Sequence, residues 1–325
     1  MKIFDVVTIG SALKDIMFYS DQIDIISNKK NVLHPKMLAV GYGAKIPIDE
    51  VFVNYGGGAL NVGVGLKNFG IDVSPLINVG NDQVGKEIHY YLNKQKIDTS
   101  LMNVDKERRT GFSLIMTAAT DREHTIFTYK GASSFLKLPS LRGFRTKWFY
   151  VSALSSKDWA YEFEKITRQT KRNVKIAWNP GSLQLKNHRV MRNFLGDIEV
   201  LILNKDEATE FVYKSEKKVL KKDLARGKFL LKKIQEYGPQ KVVITLGAKG
   251  VIALDEHGKY YSIPAKNDKK RIVDTVGAGD SFSSGMMAGL VKWLNFEKAL
   301  QLGIKNSAMV LTKAGAQNGL LKIKL

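Results

Sequence analysis

Along this chain, short apolar and β-branched runs alternate with stretches whose apolar residues recur at helical spacing. DVVTIG (5–10) leads to GGALNVGVGLKNFG (57–70), VSPLINVG (73–80) to DQVGKEIHYYLNKQ (82–95), and KWFYVS (147–152) to DWAYEFEKITRQTKR (158–172). VKIAWNP (174–180), IEVLILN (198–204) and KVVITLG (241–247) continue the strand series, with SLQLKNHRVMRNFL (182–195), DEATEFVY (206–213) and the stretches after Gly279 read as helices. This rhythm predicts an α/β fold, a largely parallel sheet covered by helices. In such sheets ligands sit beyond the carboxyl ends of the strands.

Two segments break the rhythm, 15–57 and 110–132, where strand-like runs follow one another without helices. Both read as antiparallel, with the DRE at 121–123 as a hairpin turn. They predict one small β-sheet built as an excursion from the main domain. The expected organisation is a core of 1–14, 58–109 and 133–325, with 15–57 and 110–132 as a β lid. The stretch 26–47 gives no clear pattern.

The 325 residues suffice for one large domain with an attached piece, and the hydrophobic share of 44% is ordinary for a globular chain. No apolar run approaches the roughly 18–20 residues of a membrane span. MKIFDVVTIG has an acidic residue inside its apolar run and reads as a first strand rather than a signal peptide. Cysteine is absent, which excludes disulfides and thiolate metal sites and fits a cytoplasmic chain. The formal charge of +20 invites a noncatalytic nucleic-acid-binding reading. Lysine outnumbers arginine, however, and the densest run (214–233) keeps Leu and Val at helical spacing, the pattern of a solvated helix face. Such a field would still draw in anionic nucleotides.

Candidate chemistry concentrates in DTVGAGDSFSSGMMAGL (274–290). Gly277 and Gly279 allow close backbone approach, and a helix starting there would aim the N–H groups of 277–279 at one spot, a cradle for phosphate oxygens. Asp280 in the first turn has a plain reading as a macrodipole partner. It has a second as a general base that takes the proton of an alcohol attacking phosphorus.

DTVGAGDSFSSG, together with GGGALNVGVGLKNFG (56–70), resembles the two signature motifs of the ribokinase-like (PfkB) family of carbohydrate and nucleoside kinases. GSALKD (10–15), NKDEATEF (204–211), TLGAKG (245–250) and NSAMVLTKAGAQ (306–317) match further motifs in that family's order. The resemblance implies a three-layer α/β/α domain with a small β-sheet lid, and an enzyme that uses ATP, Mg2+ and, as in many members, K+. Asp280 would be the base, and the backbone of Gly277, Ala278 and Gly279 the anion hole. Gly57, Gly58 and Asn61 would hold the acceptor, with Asp15 binding its hydroxyls. Asn204 and Glu207 would organise water-bound Mg2+, although alone they read as a helix cap and its capping-box partner. Thr245, Gly247 and Gly250 would border the ATP phosphates, Asn306 would lie near the adenine, and Asn179 is a further phosphate-side candidate. Asp274 and Val276 fall in the segment resembling the K+ loop.

GGGALN departs from the GGKGAN of ribokinases proper, with Gly58 where their lysine stands. The leading reading is a kinase of a sugar or sugar-acid hydroxyl. A nucleoside kinase is the alternative, with Phe18, Phe112 and Phe127 of the lid available to stack on a base. Lid sheets of the family can pair, so a homodimer through the lid is also expected.

Overall fold

The computed structural model describes residues 1–20, 22–28, 36–48, 50–118, 124–216, 218–266 and 272–323. The chain enters through β1 (Lys2–Ile9), buried on both faces from Val6 onward as a parallel-sheet strand must be. Four strands follow without a helix: β2 (Leu13–Ser20), β3 (Asp24–Ser27), β4 (Lys36–Ala39) and β5 (Glu50–Gly56). Then come α1 (Gly58–Asn68), β6 (Val73–Leu76), β7 (Asn78–Gly80), α2 (Gln83–Lys94), β8 (Asn103–Asp105), and a pair of longer strands, β9 (Thr110–Ala118) and β10 (His124–Gly131). Regular alternation resumes with β11 (Phe144–Val151), α3 (Trp159–Thr167), β12 (Lys175–Trp178), the short α4 (Ser182–Lys186) and α5 (His188–Arg192), and β13 (Val200–Asn204). The chain continues through α6 (Lys205–Ser215), α7 (Lys221–Leu224), α8 (Gly227–Gln235), β14 (Lys241–Thr245), β15 (Val251–Leu254) and β16 (Tyr260–Ile263), then α9 (Ala278–Val291) and α10 (Phe296–Val310).

Eight strands form the main sheet in the order β16-β15-β14-β13-β12-β11-β1-β6. β6 through β14 run parallel, and β15 and β16 close one edge antiparallel. Alternation along each strand divides the core into two layers. Val6 and Tyr150 join α1, α2, α9 and α10 on one face, while Val7, Phe149 and Trp178 join α3, α6 and α8 on the other. The result is the three-layer α/β/α arrangement expected. Among the described residues no helix is long and apolar enough to cross a membrane.

A second sheet has the order β10-β9-β2-β5, with β2 and β9 parallel and the outer pairs antiparallel. Its first strand begins at Leu13, two residues ahead of the excursion read from sequence. β3 and β4 form a separate two-stranded ribbon within 26–47 and its approach. The hairpin expected at 121–123 lies outside the described residues.

One contact between helices positions the site. A Cβ added at Gly65 on α1 would lie 2.3 Å from the Ser284 hydroxyl and 2.5 Å from its Cβ, so α1 and α9 approach as closely as they do because position 65 carries no side chain. One helical turn earlier on each helix stand Asn61 and Asp280. Gly65→Ala should therefore cost about 1–3 kcal/mol of stability through overpacking by forcing the two helices apart. Urea unfolding of the variant checks this; parental stability would mean that the helices separate freely.

Candidate active site

The loop before α9 is fastened to the turn after α10. Asp274, almost fully buried, accepts N–H bonds from Val276 (Oδ1, 3.0 Å) and from Gly315 (Oδ2, 2.8 Å). Gly277 caps α9 with φ 75° and ψ 4°, and a Cβ there would meet the Ala316 Cβ at 2.3 Å, so both its left-handed backbone and its packing require glycine. Asp280 falls in the first turn of α9, where the helix dipole favours a carboxylate. Its Oδ2 accepts a hydrogen bond from Asn61 Nδ2 (2.8 Å). Burial nevertheless pushes the carboxyl up to about 6, against the opposing pull of that bond. Oδ1 is turned toward Gly58, where a Cβ would stand 3.7 Å from it. Such a Cβ would also be 2.7 Å from the Ser152 Cβ, which accounts for glycine at this position.

Facing Asp280, α1 starts at Gly58 behind the Gly57 cap, and Asn61 sits one turn in, buried. Asp15 on β2 lies over Gly56, where a Cβ would be 1.8 Å from its Oδ2. Burial raises the Asp15 carboxyl to about 6; a hydrogen bond from Ser113 opposes this, the Asp280 charge adds to it, and Lys130 on β10 opposes it. Strand register places Asp15 level with Ser113 and Thr128, with Lys130 two residues on, so these share the sheet face turned to the site. Phe18, Phe112 and Phe127 have the opposite parity. They stand on the outer face, away from Asp15, and do not form the base-stacking surface expected of them.

Before α9 lies a cleft of about 210 Å³ lined by Thr245, Gly247, Gly250, Ala278, Gly279 and Ser307 among others. Thr245 ends β14 level with Asn204 at the end of β13. Asn204 and Glu207 form a reciprocal capping box: Asn204 N–H donates to Glu207 Oε2 and Glu207 N–H to Asn204 Oδ1, each at 2.8 Å. Burial raises the Glu207 carboxyl, the Asn204 N–H opposes, and Asp206 and Glu210 add to the rise. A half-buried carboxylate beside two further acidic groups suits a cation such as Mg2+ held largely through water. Among the described residues no cluster of three or more His, Asp or Glu could hold a metal alone.

Four of the candidate residues also make bonds that hold the fold. Asn306 does not line the cleft; it is fully buried, donating to Ser281 O (2.8 Å) and Ser284 Oγ (3.1 Å) while accepting from Leu321 N–H (2.9 Å). It pins α9 to α10 and the chain beyond, and its neighbours Ile304, Ser307 and Ala308 face the cleft instead. The Ala278 N–H lies 3.3 Å from Thr275 O within the turn, while the residue itself lines the cleft. Asn179 spends an amide hydrogen on Ile202 O (2.9 Å), tying β12 to β13. Asp274 shapes the loop around Val276 with both carboxylate oxygens.

Residues 5–323 match the pattern of the pfkB family carbohydrate kinase. The chain belongs to the PfkB family. It is thus a phosphotransferase acting on a hydroxyl acceptor. This PfkB chain is similar to the ribokinase of Haemophilus influenzae, 28% identical over 279 residues that cover 82% of this chain and 84% of that protein. Its fold is that of the Methanocaldococcus jannaschii nucleoside kinase, with a TM-score of 0.76 at 22% identity over 98% of this chain and 96% of that one. The ribokinase of Cryptococcus neoformans var. grubii serotype A, solved in complex with ADP, gives 0.75 at 21% identity over 98% and 96%.

The structure adds residues that sequence reasoning passed over. Ser113 and Lys130 enter through strand parity, and Ser152 through the shape of the two glycine loops. Tyr150, buried beneath the site, lies in the field of Asp280 and Glu207, and burial first, then Asp280, pushes its phenol up. Gln317 stood inside the quoted TKAGAQ motif, but its partners are 256 and 262 residues away.

The two carboxyls raised to about 6, Asp15 and Asp280, give a stability signature. Between pH 4 and 6 these two groups hold protons in the folded PfkB chain that the unfolded chain has released, so their contribution to stability is greatest below about pH 4 and is lost as pH rises through about 6. Asp280→Asn removes one such charge while its cleft-facing side still meets some water. At pH 8 it should be about 1–3 kcal/mol more stable than the parent, the gap closing by pH 4. Urea titrations across that range test this; a gap independent of pH would mean that Asp280 ionises freely. Asn306→Ala, which strips partners from three buried groups, should lose about 2–4 kcal/mol at any pH, read in the same titrations.

Proposed function

We propose that the protein transfers the γ-phosphate of ATP to a hydroxyl of a sugar or sugar acid, with Asp280 as general base. The observation that carries this is the place of one carboxylate. Asp280 stands at the start of α9, on the border between the Thr245–Gly279 cleft and the Gly57–Asn61 loop, with one oxygen toward that loop. An acceptor hydroxyl bonded to Oδ1 would give up its proton there as its oxygen forms a bond to the γ-phosphorus. The bond from that phosphorus to the β,γ-bridging oxygen breaks, and ADP carries off the electron pair. The Gly277 and Gly279 backbone and the α9 dipole would steady the charge that develops.

Glu207 and Asn204 would hold Mg2+ through water, which offsets the negative charge of the phosphates. The carbonyls of the loop shaped by Asp274 and Val276 would hold K+. Asp15 and the free amide hydrogen of Asn61 would bind acceptor hydroxyls, and Lys130 is a cation within the field of Asp15 that suits an acceptor carboxylate. The second sheet, with segments 15–57 and 110–132, would act as a lid that keeps water from competing as acceptor. One observation favours a nucleoside instead. Tyr19 and Phe52 form an edge-to-face pair (5.9 Å, 89°) on the site-facing side of the lid.

Val51, Val53, Phe127 and Tyr129 on the outer lid face are each about half exposed, which supports a homodimer through that sheet. Sedimentation at high protein concentration should give a dimer, and Val53→Lys a monomer. A parental monomer rules it out.

Release of ADP from Mg2+ATP, with and without K+, across pentoses, hexoses, keto-deoxy sugar acids and nucleosides should single out one sugar or sugar acid. A response confined to nucleosides would keep the mechanism and replace the acceptor. Asp280→Asn should lose about 10²–10⁴ of the rate yet bind ATP as the parent does. Parental turnover in that variant would end the assignment of the base.

A further inference from the structure

We infer that Gln317 is a positioning residue for Asp280: it sets which way the Asn61 amide faces, and so which oxygen of Asp280 is left to receive the acceptor proton. The inference rests on the reading of Asp280 as the base.

The backbone carbonyl of Tyr55, in β5, can only accept a hydrogen bond, and Gln317 Nε2 lies 2.7 Å from it. That distance assigns the two ends of the Gln317 amide. The Tyr91 hydroxyl meets the other end, Oε1. The second hydrogen of the same Nε2 then goes to Asn61 Oδ1, also 2.7 Å away. With Oδ1 so committed, Asn61 must turn Nδ2 toward Asp280, where it donates to Oδ2 at 2.8 Å. One carbonyl thus orients two amides in series, and the second orients a carboxylate.

Reversing Asn61 would set its Oδ1 against Asp280 Oδ2 and its Nδ2 against Gln317 Nε2, two contacts of like polarity. Asn61 is 6% exposed, so water is poorly placed to relieve either. The chain of bonds occupies Oδ2 and leaves Oδ1, on the Gly58 side, as the oxygen that meets the acceptor.

Gln317 is itself held. The two residues before it are tied to the front of α9, Ala316 by packing on Gly277 and Gly315 by its N–H bond to Asp274. Tyr55 reaches Glu87 on α2 through its hydroxyl (3.3 Å), and Glu87 pairs with Lys14 (3.0 Å), the neighbour of Asp15. The groups facing Asp280 are Asn61 from α1, the Asp15 carboxyl from β2 and the buried Tyr150 phenol from β11, with Lys130 of β10 acting beyond Asp15. Of these, Asn61 supplies the hydrogen bond that favours the ionised base.

The test is the pH dependence of kcat/KM for Gln317→Met and Gln317→Glu, beside the parent and Asp280→Asn, with the best acceptor found in the ADP-release panel. A base that loses its donor ionises less readily. The acid limb should move up by about one pH unit, cutting kcat/KM about tenfold below pH 6 with recovery by pH 9. The KM for ATP should stay at its parental value. Gln317→Glu should shift further, because it adds a negative charge, and its near-identical shape keeps the test available should Gln317→Met fail to fold.

A uniform loss at all pH values, or an unmoved acid limb, overturns the positioning role. Asp280→Asn separates the two ideas. If that variant is dead while the Gln317 variants keep the parental profile, only this inference fails; if it retains turnover, the base assignment fails first.

Discussion

The close approach of two helix amino termini is the constraint from which the rest of the site follows. Gly65 lets α1 rest against Ser284 of α9, and Asn306 clamps that same serine from α10. One turn up, the approach brings the Asn61 amide to Asp280. Both helices then present unsatisfied N–H groups and positive dipole ends to the space between cleft and acceptor loop. A half-buried carboxylate is costly in such a place, and the structure offsets that cost only in part, through one amide and the helix end. The incomplete compensation is what keeps Asp280 close to neutrality in its proton affinity. A fully satisfied carboxylate would be a poorer acceptor for an alcohol proton.

Much of this was legible in the chain itself. Strand and helix alternation gave the parallel sheet, because strands buried on both faces must be apolar throughout. Motif spacing brought out Asp280, Asn61, Asn204 and Glu207, and the capping box shows that a local bonding pattern and a binding role can share the same two side chains. What failed to be legible was set by tertiary geometry. Period-two alternation tells which lid residues share a face, but not which face looks at the site, and so the aromatic trio was placed on the wrong side. Asn306 sits in a motif beside cleft residues, yet its own helix turns it inward by about 100° relative to Ser307. Gln317 was visible as a letter in a motif, but a role made of bonds to residues on α1 and β5 has no local signature.

The second sheet and Asp280 are not mechanically separate. β2 and β5 carry Asp15 and the Tyr55 carbonyl, and Lys14 and Tyr55 both reach Glu87 on α2. Displacing β5 would therefore disturb the anchor of the Gln317 amide as well as the strand that pairs with Asp15. The Asp280 charge also raises the Asp15 carboxyl, so these two groups are coupled across the same junction.

The long reach of one hydrogen bond has a consequence for the making of the protein. Asn61 is synthesised early and waits 256 residues for the side chain that orients it. At roughly 5–20 residues per second the ribosome takes on the order of tens of seconds to cover that interval. During that time the acceptor loop and most of the main sheet exist without a directed base. The bond that orients Asn61 can therefore form only once nearly the whole chain has been made.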